Sequence, residues 1–479
     1  MSLARHTFYN FAGQALPLLV SLLVIPVYLQ LIGEVRFGIL ALIWLLVGYT
    51  AVLDFGVGQA VTRELAKGLQ HAQATAASLL RTALLIALAL GAAGALLLWS
   101  LGHWYASKRS SIDPDLLGEL LLALPIAGSI VPLVAAAGVL NGALQARRRF
   151  AELNLVGVAT QVLVLLAPLV VAARVGTGLP GLVAAVAVAR LVMFAVLLWR
   201  CSAELRGAGE PGRQDGLLRR LIGFGGWTTV SAVIAPLLLA LDRLLIGSQL
   251  GAPAVSHYTI PFQLAERTTA PATAFGQALF PRLAAAHDEN ERRGMALRSL
   301  GLVALATAPV AAIGPFLIGP FLEWWLSAEF AQRSAQVARV LWLAFWLSSL
   351  ATVPYILLLA SGRPDRVAWV HLLQLPPYVA LLLAGLTVAG LEGAAWAFAL
   401  RVSADLVLLL LLCPGLAQAA ARMLAVPVLA VFALGAVAML DDAATGPRWL
   451  IGLAALGALG AWSVSRLRQD MPFSGRIRL

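Results

Sequence analysis

Polar chain is what this sequence has least of. Only 12% of its 479 residues are charged while 61% are apolar, and the longest polar intervals, residues 101–119 and 200–221, each reach only about 20 residues. That leaves no stretch for a separate soluble domain and places the chain among membrane proteins built almost entirely of spanning segments. Lysine is nearly missing. Lys67 and Lys108 are the only two, and they follow Ala66 and Ser107, so no phosphate-binding loop ending in Gly-Lys-Ser/Thr is encoded. A P-loop ATPase is thereby excluded. Cysteine is limited to Cys201 and Cys413 at the ends of apolar spans, which rules out a disulfide framework or a cysteine metal motif. The six histidines are isolated from one another and lack metal-ligand spacing. A signal-peptide cleavage site is absent from the opening stretch MSLARHTFYNFAGQALPLLVSLLVIPVYLQ, whose apolar run is too long for a signal core, so it is expected to stay as the first helix.

What is present is apolar length. Stretches of about 20 residues occur fourteen times, near 7–31, 38–61, 79–101, 120–144, 153–173, 178–199, 222–246, 255–280, 299–322, 336–360, 368–389, 391–413, 422–440 and 447–465. With both termini on the cytoplasmic side, 23 basic residues fall in cytoplasmic segments and seven on the opposite side. This bias sets the orientation. The net charge of +11 is therefore a topology signal rather than a nucleic-acid footprint.

Three pairs of segments match at offsets of about 212 to 214 residues. Asn10–Gln14 resembles Gly223–Trp227, Leu31-Ile32-Gly33 resembles Leu245-Ile246-Gly247, and GLPGLVAAVAVAR (178–190) resembles GLEGAAWAFALR (390–401). With six spans per unit both copies enter from the same side, so the repeat is parallel. The expected architecture is an all-α polytopic membrane protein of about 14 helices. It comprises an N-terminal six-helix bundle (1–199), an Arg-rich cytoplasmic linker (200–221), a C-terminal six-helix bundle (222–413), and helices 13 and 14 with a cytoplasmic tail (414–479). Two such bundles are expected to enclose a central cavity exposed to each side in turn, the geometry of a transporter.

Ionisable groups inside a bilayer cost a few kcal/mol each and mark cavities or partners. Arg190 lies roughly 18 Å into the sixth span and Arg401 a similar distance into the twelfth. The two occupy matched repeat positions, and Asp405, one turn beyond Arg401, is expected to pair with it. Glu266 and Arg267 fall mid-membrane in the eighth span, beside Gln263, Thr268, Thr269, Thr273 and Gln277. Asp242 and Arg243 are expected near the outer surface, where a snorkelling pair costs little and could serve as a gate. The first span offers Asn10 and Gln14, with Pro17 and Pro26 implying a bent or broken helix. In LDFGVGQAVTRELAKG (53–68), Asp54 is placed near the cytoplasmic mouth, either paired with a basic loop residue or forming an inward gate. Gly56 and Gly58 there would let a helix approach, and Gln59 and Thr62 would be polar where a cavity opens.

Residues 10–65, together with LDRLLIGSQLGAPAVSHYTIPFQL (241–264) and GLEGAA (390–395), resemble the polysaccharide-transporter branch of the multidrug/oligosaccharidyl-lipid/polysaccharide exporter superfamily, which includes the O-antigen flippases. The resemblance implies translocation of a polyprenyl-diphosphate-linked oligosaccharide from the cytoplasmic to the periplasmic leaflet of a bacterial inner membrane. Arg267, Arg190 and Arg401, with Glu266, Gln263, Asn10 and Gln14, would line the path, because guanidinium binds phosphate bidentately and stays charged. Asp54, Asp405, Asp242, Arg243 and Gln59 would gate or couple it. No cofactor is implied, though coupling to H+ or Na+ is, and polysaccharide polymerase or ligase proteins are conceivable partners. Peptidoglycan-precursor flippases resemble a pattern with an arginine in the first span, where this chain has Asn10 and Gln14. Multidrug and toxin extruders have twelve spans and an acidic N-terminal cation site, for which only Asp54 is available. A membrane glycosyltransferase or polymerase needs sizeable external loops, and none is encoded.

Overall fold

The computed structural model describes residues 3–49, 57–58, 61–62, 65, 73–107, 113–147, 149–205, 238, 241–286, 288–413, 415–440 and 448–470. All secondary structure among them is helical, and nine of the helices are long and apolar enough to cross a membrane. The chain divides into two compact units, residues 1–240 and 241–479. Of the linker expected at 200–221, only residues up to 205 are described.

In the first unit, α1 (Leu3–Tyr49) has 47 residues. Its length of about 70 Å is more than twice a hydrocarbon core. It folds back at Gly33, where φ is +73°, a conformation glycine adopts without a Cβ clash. The return brings Tyr28 within 5.8 Å of Trp44 and 6.0 Å of Phe37, ring to ring. The helix runs without a break through Pro17 and Pro26, so the expected disruption occurs at glycine instead. Helices α2 (Gln73–Ser107), α3 (Pro114–Ala146), α4 (Phe150–Arg174) and α5 (Leu179–Arg200) complete the unit. α2 packs along α3, α5 lies against both α3 and α4, and α1 lies on α4. Val57, Val61 and Leu65 join the α2–α3–α5 core. Gly58 is the point of closest approach, because a Cβ on Gly142 of α3 would meet its carbonyl oxygen. Thr62, expected at a cavity mouth, instead donates to the Gly58 and Gly142 carbonyls at 3.0 and 3.1 Å.

In the second unit, residues 241–249 are helical and end at Gly251 (φ +87°). The eighth span is two helices, α6 (Ala252–Arg267) and α7 (Ala270–Ala285), rather than one. Pro271 has no N–H to return to the Arg267 carbonyl. The Thr268 and Thr269 hydroxyls also bond back to the Ala265 and Glu266 carbonyls at 2.7 and 2.8 Å. The break thus follows from the sequence TTAP. After α8 (Glu289–Trp325) and α9 (Ala328–Ala360), α10 (Pro364–Leu411) is a 48-residue hairpin reversing at Ala389 and Gly390. α11 (Leu416–Met439) packs on α8, and α12 (Arg448–Asp470) packs on α11, with the Trp462 indole donating to the Met423 carbonyl at 3.0 Å.

The units repeat each other element by element. α3 and α9 start and end 214 residues apart, as do the starts of α4 and α10. The Cys201 thiol donates to the Leu140 carbonyl at 3.8 Å, and the Cys413 thiol to the Pro354 carbonyl at the same distance, which makes the two cysteines equivalent at an offset of 212. Arg149 donates to the Arg200 carbonyl (3.2 Å) and Arg366 to the Leu412 carbonyl (3.1 Å), each closing the carbonyl end of the corresponding helix. The offset falls from 214 to 212 between them for a concrete reason. α4 and α5 are joined by four residues, Val175–Gly178, whereas α10 reverses over two.

Candidate functional site

An offset of 212 on both sides of the sixth and twelfth spans aligns Arg190 with Val402 and Arg401 with Ala189. The two arginines are therefore adjacent in the repeat rather than equivalent, about 100° apart around the helix. Their surroundings do share one property. Arg190 and Arg401 are each partly buried with a buried Nε that has no hydrogen-bond partner, and neither has a carboxylate within ion-pair distance among the described residues.

Arg401 does not pair with Asp405. The tight reversal at Gly390 sets the register of the α10 hairpin, so that Arg401 faces Tyr378 while Asp405, one turn further on, faces Gln374. The Arg401 guanidinium lies 5.3 Å from the Tyr378 ring centre and 5.0 Å from that of Phe398. Asp405 Oδ1 accepts from Gln374 Nε2 at 2.8 Å and lies 3.7 Å from His371 Nε2. Sharing one helix face was not enough, because each side chain found a nearer partner across the hairpin.

Asp242 and Arg243 are not at the surface either: they are 0% and 4% exposed. Their helix continues to residue 249 before the Gly251 turn, so Asp242 lies about 13 Å below that turn. Asp242 Oδ2 accepts from the Tyr258 hydroxyl at 2.8 Å and Oδ1 from the Arg243 backbone N–H at 2.7 Å. The Arg243 guanidinium sits 3.7 Å over the Phe262 ring. Phe262, Phe345 and Phe398 stack within 4.8–5.2 Å of one another, so Arg243 and Arg401 grip one aromatic core from two helices. Cation–π contact holds a guanidinium in an apolar interior at lower cost than burial alone.

Gln263, Glu266 and Arg267 are exposed on α6. Arg267 ends that helix, and with Thr268 and Pro271 it lines a cleft of about 130 Å³ against α8 and α9. The cleft is walled by Trp342 and Trp346, whose indoles donate to the Val310 carbonyl and the Thr307 hydroxyl. A larger cavity of about 580 Å³ opens between α7, α9 and the second half of α10, with Asp405 in its wall. Sequence reasoning missed this cavity because its members come from three distant segments. The polar residues of TTAPATAFGQ were the one signal pointing to it.

The side chains of Asn10 and Gln14, and all of Asp54 and Gln59, lie outside the described residues. Two contacts in the first unit were also unforeseen. Arg36 forms a bidentate pair with Glu119 (2.6 and 3.1 Å), whose Oε2 also accepts the Leu179 N–H at 2.9 Å, placing a carboxylate on the α5 N-terminus. At other helix ends, Glu152 is clasped by Arg149 at 2.7 Å and approached by Arg200 at 3.4 Å.

The fold is that of the multidrug and lipid flippase transporters. The chain is similar to the lipid II flippase MurJ in its inward closed conformation, with a TM-score of 0.69 and 12% identity over 97% of this chain and 99% of that one. It is similar also to a multidrug resistance MATE family transporter of the MOP superfamily in an inward-facing conformation (TM-score 0.70, 12% identity, 88% of this chain and 98% of that one). At these identities the likeness establishes the fold. Residues 30–333 match the family described as polysaccharide biosynthesis protein, and the chain belongs to it. Among curated proteins it is similar to the putative O-antigen transporter of Shigella flexneri, 27% identical over 410 residues, which is 85% of this chain and 97% of that protein.

Proposed function

We propose that the protein is a flippase. It would move a polyprenyl-diphosphate-linked oligosaccharide, an O-antigen or other surface polysaccharide unit, across a bacterial inner membrane from the cytoplasmic leaflet by alternating access. The observation that carries this reading is the pair of intramembrane arginines, Arg190 and Arg401, each with an unpartnered buried Nε and no carboxylate at hand among the described residues. An uncompensated guanidinium within a membrane is costly unless an anionic ligand visits it, and a diphosphate fits its planar fork. Arg267, exposed at the break between α6 and α7, is a third cation for the same headgroup. The similarity to an O-antigen transporter supports the choice of cargo.

The arginine bias of the sequence supports cytoplasmic termini, and coupling to an H+ or Na+ gradient belongs to the same proposal. In a strain lacking the protein, the lipid-linked unit should accumulate in the cytoplasmic leaflet. Arg267→Ala and Arg401→Ala should fail to relieve the accumulation. Arg333→Ala, which removes only an exposed pair with Glu329, should relieve it fully. Equal rescue by all three variants would refute the assignment of these arginines to the substrate path.

A further inference from the structure

The cavity of about 580 Å³ within the second unit has a chemistry the arginines do not explain. Its volume falls in the range of small-ligand pockets, roughly 300–1,000 Å³. Its wall is rich in groups that suit a polyol. Thr273 and Gln277 come from α7, Ser348, Thr352 and Tyr355 from α9, and Asp405 from α10. The Thr273 and Thr352 hydroxyls donate to the Thr269 and Ser348 carbonyls on their own helices, at 3.1 and 3.3 Å. Their oxygens are thereby left as fixed acceptors. Gln277 brings both an amide donor and an acceptor.

Asp405 is the centre of this wall. Oδ1 is held by Gln374 and faces His371, while Oδ2 has no hydrogen-bond partner among the described residues. A carboxylate oriented through one oxygen and open at the other is a preset acceptor for ligand hydroxyl or amide N–H groups. The Tyr355 and Phe280 rings, 37% and 43% exposed, add apolar faces against which the C–H face of a pyranose can lie. No lysine or arginine lines the cavity. An acidic sugar would therefore meet a fixed carboxylate with no cation to offset it, whereas an uncharged sugar would be welcomed. The neighbouring cleft at Arg267 has neither the volume nor the hydroxyls for this role.

We propose that this cavity is a saccharide subsite, which takes one or two residues of the glycan and selects an uncharged hexose or N-acetylhexosamine over a hexuronic acid through Asp405. The proposal rests on the flippase reading for its biological cargo, but its binding chemistry can be measured separately. The test uses the purified full-length protein, saturation-transfer-difference NMR, and two probes, N-acetylglucosamine and glucuronic acid.

The unsubstituted protein should transfer saturation to N-acetylglucosamine about fivefold more strongly than to glucuronate, and Asp405→Asn should narrow that ratio to about twofold or less. Thr352→Phe, which fills the cavity, should abolish both signals. Gln277→Leu, at an exposed position of α7, keeps the test decisive if Thr352→Phe does not fold. Absence of any sugar signal, an unchanged ratio in Asp405→Asn, or Na+ binding at Asp405 that excludes sugar would each overturn the proposal. A parallel proteoliposome assay with polyprenyl-diphosphate-linked N-acetylglucosamine separates the two claims. Sugar binding without translocation counts against the flippase and leaves the subsite standing. Translocation indifferent to Thr352→Phe and Gln277→Leu counts against the subsite alone.

Discussion

The two repeat units keep the same helix ends and differ in their interiors. Equivalent cysteines and equivalent arginines close equivalent helix termini in both. Yet where the first unit places Tyr28, donating to the Leu165 carbonyl at 2.7 Å, the second places the buried Asp242, 214 residues on. The first unit keeps its ion pairs at helix ends, Arg36 with Glu119 and Arg149 with Glu152. The second carries Asp242, Arg243, Arg401 and Asp405 inside. Termini fix the frame, and the frame tolerates different chemistry in its middle so long as each buried charge finds a hydrogen bond, an aromatic face or a ligand.

That comparison can be broken most forcefully at Asp242. Asp242→Ala leaves Arg243 without its carboxylate neighbour and should cost about 3–5 kcal/mol, read as a lowered unfolding midpoint of the detergent-solubilised protein. Tyr28→Phe at the matching position removes one hydrogen bond and should cost only about 1 kcal/mol. Equal losses would mean that the second unit's interior charges are not held as described.

The hairpin glycines come next. A Cβ on Gly393 would overlap the Gly385 backbone, because a two-residue reversal presses the arms of α10 together. Gly393→Ala should therefore cost about 3 kcal/mol. Its counterpart Gly181, behind a four-residue connection, would meet only a Val171 methyl at 3.5 Å. Gly181→Ala should change stability by less than about 1 kcal/mol, with the sign set by helix propensity. A thermal melt of the two variants side by side is sufficient, and equal sensitivity would contradict the difference in turn length.

The helix-end arginines should give the smallest contrast. Arg149→Ala loses both the Arg200 carbonyl and Glu152, while Arg366→Ala loses the Leu412 carbonyl. About 2 and about 1 kcal/mol are expected respectively, and both values shrink to the extent that the side chains are solvated. If Arg366→Ala proved the more damaging, the shared cap would matter more than the ion pair.

Much of this was legible in the sequence, and the exceptions have physical causes. Apolar length located the spans, and GLPG against GLEG located the repeat, because hydrophobicity and glycine turns act over short distances. The depth of Asp242 was misjudged because the apolar run ends at 246 while the helix continues to 249. The Arg401–Asp405 pair failed because helix spacing says which residues share a face but not which side chain across a hairpin lies nearer. Arg36 with Glu119 lies 83 residues apart in sequence, and nothing local announces it. The cavity around Asp405 draws on three segments, so its polar residues were visible singly but not as one wall.

The matched cysteines have a practical consequence. At 0% and 2% exposure, both thiols are shielded from maleimide and methanethiosulfonate reagents, so the natural chain already serves as a quiet background for site-directed labelling. A spin label or fluorophore on an introduced surface cysteine in each unit would report distances during a transport cycle without removing either native thiol. Cys201 and Cys413 would themselves report any state in which the helix ends around them come apart.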